Sequence, residues 1–311
     1  MQELLVFTGH LDVYARAPEL IEKFLRVSSS AATVYRVTNH YAEHLEAELQ
    51  QPTEALEVAE QEVVYAELDG GMIHTDHQWR EVKLGRVFRS EDIRESATVG
   101  RGGKILHSEY SAHLGSAGEF TEKFRLGVDK YAALDERLVF IRDGAPWMSQ
   151  WISQEYPCAT QILDFYHASE HLGEFASVAI TNDEERKRWF AEHKALLLAG
   201  RVETVIAAVD RYRSVGGNVK EQAEKLQQYY RSNCEQMRYD EYIKRGLDIG
   251  SGAIESAHRT VVHRRMKLSG LRWAHSGAQN VLNLRVASMS NKWQLVVNLI
   301  RRPVHPTPVE N

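Results

Sequence analysis

The chain has 311 residues, 43% of them hydrophobic and 26% charged, with neither glycine nor proline in excess. That profile belongs to a globular protein long enough for one large core or two smaller ones. Apolar runs such as Ala195 to Ala199 are far too short to span a bilayer, and the opening MQELLVFTGHLDVYARAPEL carries acids where a signal peptide needs bases, so a cytoplasmic protein with no membrane partner is expected.

Cys158 and Cys234 stand far apart with no CxxC pattern, which reads as two incidental or buried thiols. The net charge of −5 ordinarily argues against nucleic acid, but it averages over an asymmetry. From His258 to Arg302 there are nine Lys or Arg residues (Arg259, Arg264, Arg265, Lys267, Arg272, Arg285, Lys292, Arg301, Arg302) and no Asp or Glu. One end of the molecule is therefore expected to face phosphates.

In chain order, residues 1–52 read as a small helical region. Leu20, Ile21, Phe24 and Leu25 recur at helical spacing, and the serines at 28–30 offer N-caps for a second helix from Ala31 to Leu49. The pair fits a helix-turn-helix presenting Thr33, Tyr35, Arg36 and Asn39, and equally a packing or dimerisation module. A first core segment spans 60–176. It opens with a β-rich run, Glu62 to Leu68, that is expected to end at Asp69-Gly70-Gly71. Met72 to Thr75 and Arg80 to Arg89 alternate as half-buried antiparallel strands do. The glycine-rich stretch Ser96 to Lys104 is not a phosphate loop, because Thr98 and Ile105 stand where that motif needs glycine and a hydroxyl. A strand near Ile105 to His113, a helix from Glu119 to Leu134, and a strand Arg137 to Arg142 ending at Asp143-Gly144 come next. Pro146 starts a helix to Glu155, Thr160 to Leu163 forms a strand ending at Asp164, and Phe165 onward is helical. Residues 177–248 are patterned as an all-helical insertion. Residues 249–302 return to the core: Gly250-Ser251-Gly252 breaks the chain, Ser251 is positioned to cap a helix from Ala253 to Arg265, and a last helix runs from Ser276 to Met289. Residues 303–311, with three prolines, read as a disordered tail.

Three acids stand out. Asp69 and Asp143 come after strands and are each beside a glycine, which allows close approach of backbone, metal or substrate, and Glu255 lies on a helix after the insertion. Carboxylates in such a cluster suit a pair of hard divalent cations acting on a phosphodiester, one activating the attacking oxygen and one clamping the leaving oxygen. Taken singly, each Asp-Gly is an ordinary turn and Glu255 an ordinary helical acid paired with Arg259 four residues on. Asp164, His167 and His171 have the spacing for a zinc site, but HASEH lacks the Glu of a metalloprotease helix. The competing role for Asp164 and His167 is to orient the helix, support the acids or contact DNA. Arg264, Arg265, Lys267, Arg272 and Trp273, bunched after the Glu255 helix, suit DNA positioning and base stacking. Trp147 and Trp151, four apart, read as core.

The stretches Leu68 to Phe88, Ile141 to Met148, Ile162 to Leu172, Ile249 to Arg259 and Met266 to Arg285 resemble the ISKra-type insertion-sequence DDE transposases of the Mutator-like branch, over nearly the whole chain from Glu62 to Arg285. The resemblance implies an α/β, RNase H-like mixed sheet flanked by helices with a helical insertion. It implies Asp69, Asp143 and Glu255 as catalytic residues holding two Mg2+ ions, with Mn2+ as a substitute. Asp164 and His167 then match the branch's C/D-x-x-H signature, and Arg259 takes a supporting or DNA-positioning part. The implied partners are double-stranded DNA, both transposon ends and target, and further copies of the chain, at the nucleoid. Family members generally carry additional sequence ahead of the helices, so a short form, a fragment or a variant lacking a terminal DNA-binding module is expected, with independent recognition of the element's ends in question. Two rival readings are an RNase H-like nuclease that hydrolyses without joining, and a truncated or domesticated DNA binder without catalysis.

Overall fold

The structure, a computed structural model, describes residues 1–76, 78–94, 103–132 and 135–302. The expected tail and most of the glycine-rich stretch lie outside the described residues. The architecture is α/β, with a mixed five-stranded sheet flanked by helices. Its strands are β1 (Val64–Thr75), β2 (Gln78–Arg89), β3 (Glu109–Leu114), β4 (Leu138–Arg142) and β5 (Thr160–Leu163), in the order β3-β2-β1-β4-β5. The chain divides into two compact units. Of the described residues, the first holds those in 1–60, 70–132 and 254–302, and the second those in 61–69 and 135–253.

In the first unit, β2 and β3 pair antiparallel with Leu84 opposite Ala112. Helices α1 (Gln2–Leu11), α2 (Ala17–Leu25) and α3 (Ala31–Leu49) precede them. Ser30 caps α3 as the sequence suggests, accepting a hydrogen bond from Thr33 N at 3.1 Å. Val34, Thr38, Tyr41, Ala42 and Leu45, three or four apart, make its buried face. Tyr41, Ala42 and Leu45 pack with Val6 of α1, Leu284 and Ala287 of the helix His275–Met289, and Val296 and Leu299 of the helix Trp293–Arg301, while Val34 packs with Leu5, Ala17 and Ile21. Of the residues proposed to face a groove, Tyr35 and Arg36 are exposed, while Asn39 accepts from Asn280 Nδ2 at 3.0 Å.

Helix α4 (Ala117–Asp129) opens with a reciprocal capping box between Ser116 and Glu119. It lies on β2 at Gly85, where an added Cβ would run into the Phe124 ring, so only hydrogen at that position lets helix and sheet approach.

The second unit is built on parallel strands. The first half of β1 pairs with β4, Val64 to Leu138 through Leu68 to Arg142, and β4 pairs with β5, Val139 to Thr160 through Arg142 to Leu163. Such strands are covered on both faces and read as apolar runs, as Leu138–Ile141 does. The helices are α5 (Pro146–Glu155), α6 (Phe165–Ala179), α7 (Asp183–Leu198), α8 (Val202–Asp210), α9 (Gly217–Asn233) and α10 (Tyr239–Lys244). The all-helical character read for 177–248 is what the structure has. Tyr230 and Tyr239 are fully buried there, and the Tyr230 hydroxyl donates to the Ala168 carbonyl at 2.8 Å, tying α9 to α6.

Two expectations are corrected. Asp69 does not end its strand, because β1 continues through Asp69-Gly70-Gly71 to Thr75. The glycine at 71 serves packing: a Cβ there would lie 2.9 Å from the buried His258 ring. Nor is the segment from Ala253 to Arg265 one uniform helix. Helix α11 (Gly252–Ala257) passes into a π-helical turn, His258–His263, and one more α-turn, Arg264–Met266. Such turns insert a residue into the hydrogen-bond ladder and re-aim the side chains beyond it.

Candidate active site at the ends of the parallel strands

Because Leu68 stands opposite Arg142, and Arg142 opposite Leu163, the next residue on each of the three strands is an aspartate: Asp69, Asp143 and Asp164. Side chains at the same level of neighbouring strands, where the parallel pairing stops, project into one crevice at the carboxyl end of that pairing. The second unit thus brings three carboxylates from remote parts of the chain to one edge.

They are not equivalent. Asp69 and Asp143 are half-buried. Asp143 Oδ1 accepts from Ala145 N at 2.9 Å, and the Asp143 carbonyl accepts from the Tyr229 hydroxyl at 2.8 Å. Gly144 has φ of 98°, and a Cβ on it would meet the Tyr229 ring at 2.7 Å, so the turn that aims Asp143 depends on glycine.

Asp164 is fully buried and saturated with donors. Its Oδ1 accepts from Tyr166 N at 3.2 Å and Ser251 N at 2.9 Å. Its Oδ2 accepts from His167 N at 3.1 Å, Ser251 Oγ at 2.8 Å and His167 Nδ1 at 2.5 Å. One carboxylate therefore caps α6, fixes the ring orientation of His167 and fastens the Ile249–Ser251 segment, where Phe165 N also donates to the Ile249 carbonyl at 2.9 Å. The hydroxyl of Ser251, expected as a helix cap, is spent as a donor to Asp164. Although burial opposes its charge, these donors hold the Asp164 carboxyl below its usual range.

His167 is pushed up to about 9, first by its hydrogen bond to Asp164, then by the charges of Asp164, Asp69 and Asp143, against burial. At neutral pH it is an imidazolium facing three carboxylates, and it lowers their mutual repulsion. His171 does not join it. Its Nδ1 lies 3.3 Å from Glu174 and its ring packs 4.5 Å from that of Tyr229, so the zinc set of Asp164, His167 and His171 is not assembled. Among the described residues no group of three or more His, Cys, Asp or Glu side chains is arranged to hold a metal ion.

Glu255 is exposed in the first turn of α11, in the part of that helix that falls in the first unit, and Arg259 is exposed one turn later. The basic residues after it divide into two kinds. Arg264, Lys267 and Arg272 are exposed. Arg265 and Trp273 are not, which corrects the expectation that they meet DNA. Arg265 is 1% exposed, donates through Nε (3.2 Å) and Nη2 (3.1 Å) to the Gly9 carbonyl, and is sandwiched between the rings of Tyr14 and Trp273 at 4.9 and 4.8 Å. Trp273 spends its indole N–H on the Met266 carbonyl at 3.1 Å. Sequence reasoning missed the parts of Tyr229 and Ser251, since neither residue carries a local pattern that announces a partner some ninety positions away.

No protein-family model matches the chain, and the comparison with curated proteins finds no match.

Proposed function

We propose that this chain is a metal-dependent polynucleotidyl transferase of the DDE transposase kind, with an RNase H-like core that cuts the ends of a DNA element and joins them to target DNA. The observation that carries the reading is the alignment of Asp69 and Asp143, each the residue that follows the last parallel pair, Leu68 with Arg142. The raised proton affinity of His167, traced in part to both aspartates, is a second sign that their charges converge.

The donor set is hard oxygen, which suits Mg2+ or Mn2+. Such ions take one or two carboxylates and complete their shell with water and substrate phosphate, so two aspartates form an adequate protein contribution. Asp69 and Asp143 would hold the metal, and Glu255 is the third carboxylate that the family resemblance implies. When bound, the metals supply Lewis-acid stabilisation of the oxygens on the scissile phosphate. The chain's own residues do the rest: Asp164 keeps His167 oriented, the imidazolium offsets the carboxylate charge, and exposed cations engage the DNA backbone. Cutting two ends calls for at least two copies of the chain.

Asp143→Asn tests this directly, because Asn keeps the Oδ1 that accepts from Ala145 N and so preserves the turn. End cleavage with Mg2+ is expected to be abolished with DNA binding intact. Cleavage surviving in the variant sinks the assignment. Joining of pre-cut ends by the wild type separates a transposase from a nuclease that only hydrolyses.

A further inference from the structure

The first unit contains a groove of about 470 Å3 that the carboxylate site does not use. One wall is the start of β2, with Trp79 62% exposed, and the other is the Lys267–Arg272 loop, whose two basic ends are themselves exposed. Among the described residues lining it there is no acid. A volume in this range takes a planar ligand of drug size, about 300–1,000 Å3.

The groove is built rather than incidental. The loop is stitched to the end of β1 and the adjoining Asp76 by Trp273 N donating to the His74 carbonyl at 3.3 Å, Asp76 N to the Trp273 carbonyl at 2.9 Å, and His275 N to Asp76 Oδ2 at 3.1 Å. A buried Trp273 anchors the far side of the loop, and the His74 ring meets the Trp79 ring edge-on at 5.4 Å, which steadies the indole without covering it. An exposed tryptophan face is otherwise costly to leave in water.

A groove lined by an exposed indole and two exposed cations suits the base and phosphates of a nucleic acid strand. A base held in a pair, inside a duplex or at its blunt end, cannot enter such a groove, whereas an unpaired base can. Resting on the DNA reading above, we propose that this groove binds an unpaired base of the DNA substrate, stacked on Trp79, with Lys267 and Arg272 taking the flanking phosphates. Trp79 is then a positioning residue that takes no part in the chemistry of the carboxylates.

The test uses the full chain and two probes at low salt: a blunt duplex, and the same duplex carrying one unpaired 2-aminopurine. Trp79→Ala is expected to weaken binding of the second probe about 10-fold and leave the first unchanged, while Trp79→Phe keeps most of the affinity. The 2-aminopurine emission is expected to be quenched by the wild type and not by Trp79→Ala. Equal effects on both probes, or none on either, overturn the base pocket while leaving the DNA reading in place. Failure of the wild type to bind either probe removes the DNA reading itself. If Trp79→Ala instead converts multimers to monomers in sedimentation with DNA binding unaltered, the groove is a contact between copies and the proposal falls.

Discussion

Replacing Asp164 by Asn isolates what holds the second unit's site together. The substitution is nearly isosteric, so packing is kept and only charge and one acceptor change. The carboxylate accepts from five donors, two on Oδ1 and three on Oδ2. The least costly amide orientation keeps its oxygen at Oδ2 and turns its NH2 onto Tyr166 N and Ser251 N, so two hydrogen bonds to a charged acceptor become donor-donor oppositions. At roughly 1.5–3 kcal/mol for each such bond, the variant is expected to lose about 3–6 kcal/mol. That is a large part of the roughly 5–15 kcal/mol that holds a domain folded. Urea unfolding monitored by tryptophan fluorescence measures it. A pH series adds a signature. His167 is raised to about 9, so its stabilisation is complete below its unfolded value near 6.5 and is lost as pH climbs through 9. The gap between wild type and variant should therefore narrow across that window. Ser251→Ala should cost about 1–2 kcal/mol, and the double variant less than the sum, because both act on one network. A loss below about 1 kcal/mol for Asp164→Asn refutes the argument.

Three further outcomes rest on individual contacts. Burial, with Arg285 nearby, lowers His10 to about 4, so folding excludes a proton that the unfolded chain binds, and stability present above 6.5 is lost as pH falls toward 4; His10→Phe should flatten this acid limb by about 3 kcal/mol, and an unchanged limb counts against it. Gly85→Ala should cost about 1–3 kcal/mol in chemical unfolding through the clash with Phe124, with Phe124→Leu relieving part of it, and no relief means the strain lies elsewhere. Glu255→Gln should reduce Mg2+-dependent end cleavage at least about 100-fold with the melting temperature unchanged, since the side chain is exposed; full activity would remove it from the catalytic set.

What the sequence discloses here is local. Pro146 at a first helical turn and Ser30 as a cap delimit α5 and α3 at the residues observed, and the Thr160–Leu163 strand is equally legible. The two aspartates are visible because apolar strands lead into them. Asp-Gly-Gly misleads, since its glycines answer to side chains from elsewhere, His258 and Glu81, rather than to a turn. The helix Trp293–Arg301 escapes because Asn291, at φ of 57°, turns the chain where no glycine or proline flags it. The role of Asp164 is readable as a helix cap from its neighbours, but its hold on Ser251 is a pairing across the whole insertion, which no window of residues contains.

The basic segment shows why a count of charges is a poor measure of DNA contact. Of its nine cations, Arg265 and Arg285 are buried and spent on backbone carbonyls, Arg285 donating to Val261, His10 and Thr260. Lys292 is held by Glu109 at 2.7 Å and Arg302 by Glu48 at 2.9 Å. That leaves Arg259, Arg264, Lys267, Arg272 and Arg301 exposed to solvent. Counterion release gives a slope of log affinity against log salt of about −0.9 per phosphate neutralised, so nine cations would contribute about −8 and five at most about −4.5. Binding titrations over a salt series on single variants separate the two accounts. Lys267→Gln and Arg264→Gln should each make the slope shallower by about 0.9, whereas Arg265→Gln should leave it alone and lower stability, having lost its carbonyl and both aromatic faces. Should Arg265→Gln shift the slope by about one instead, the arginine must leave its sandwich to bind DNA, and the buried arrangement is not the one that meets the strand.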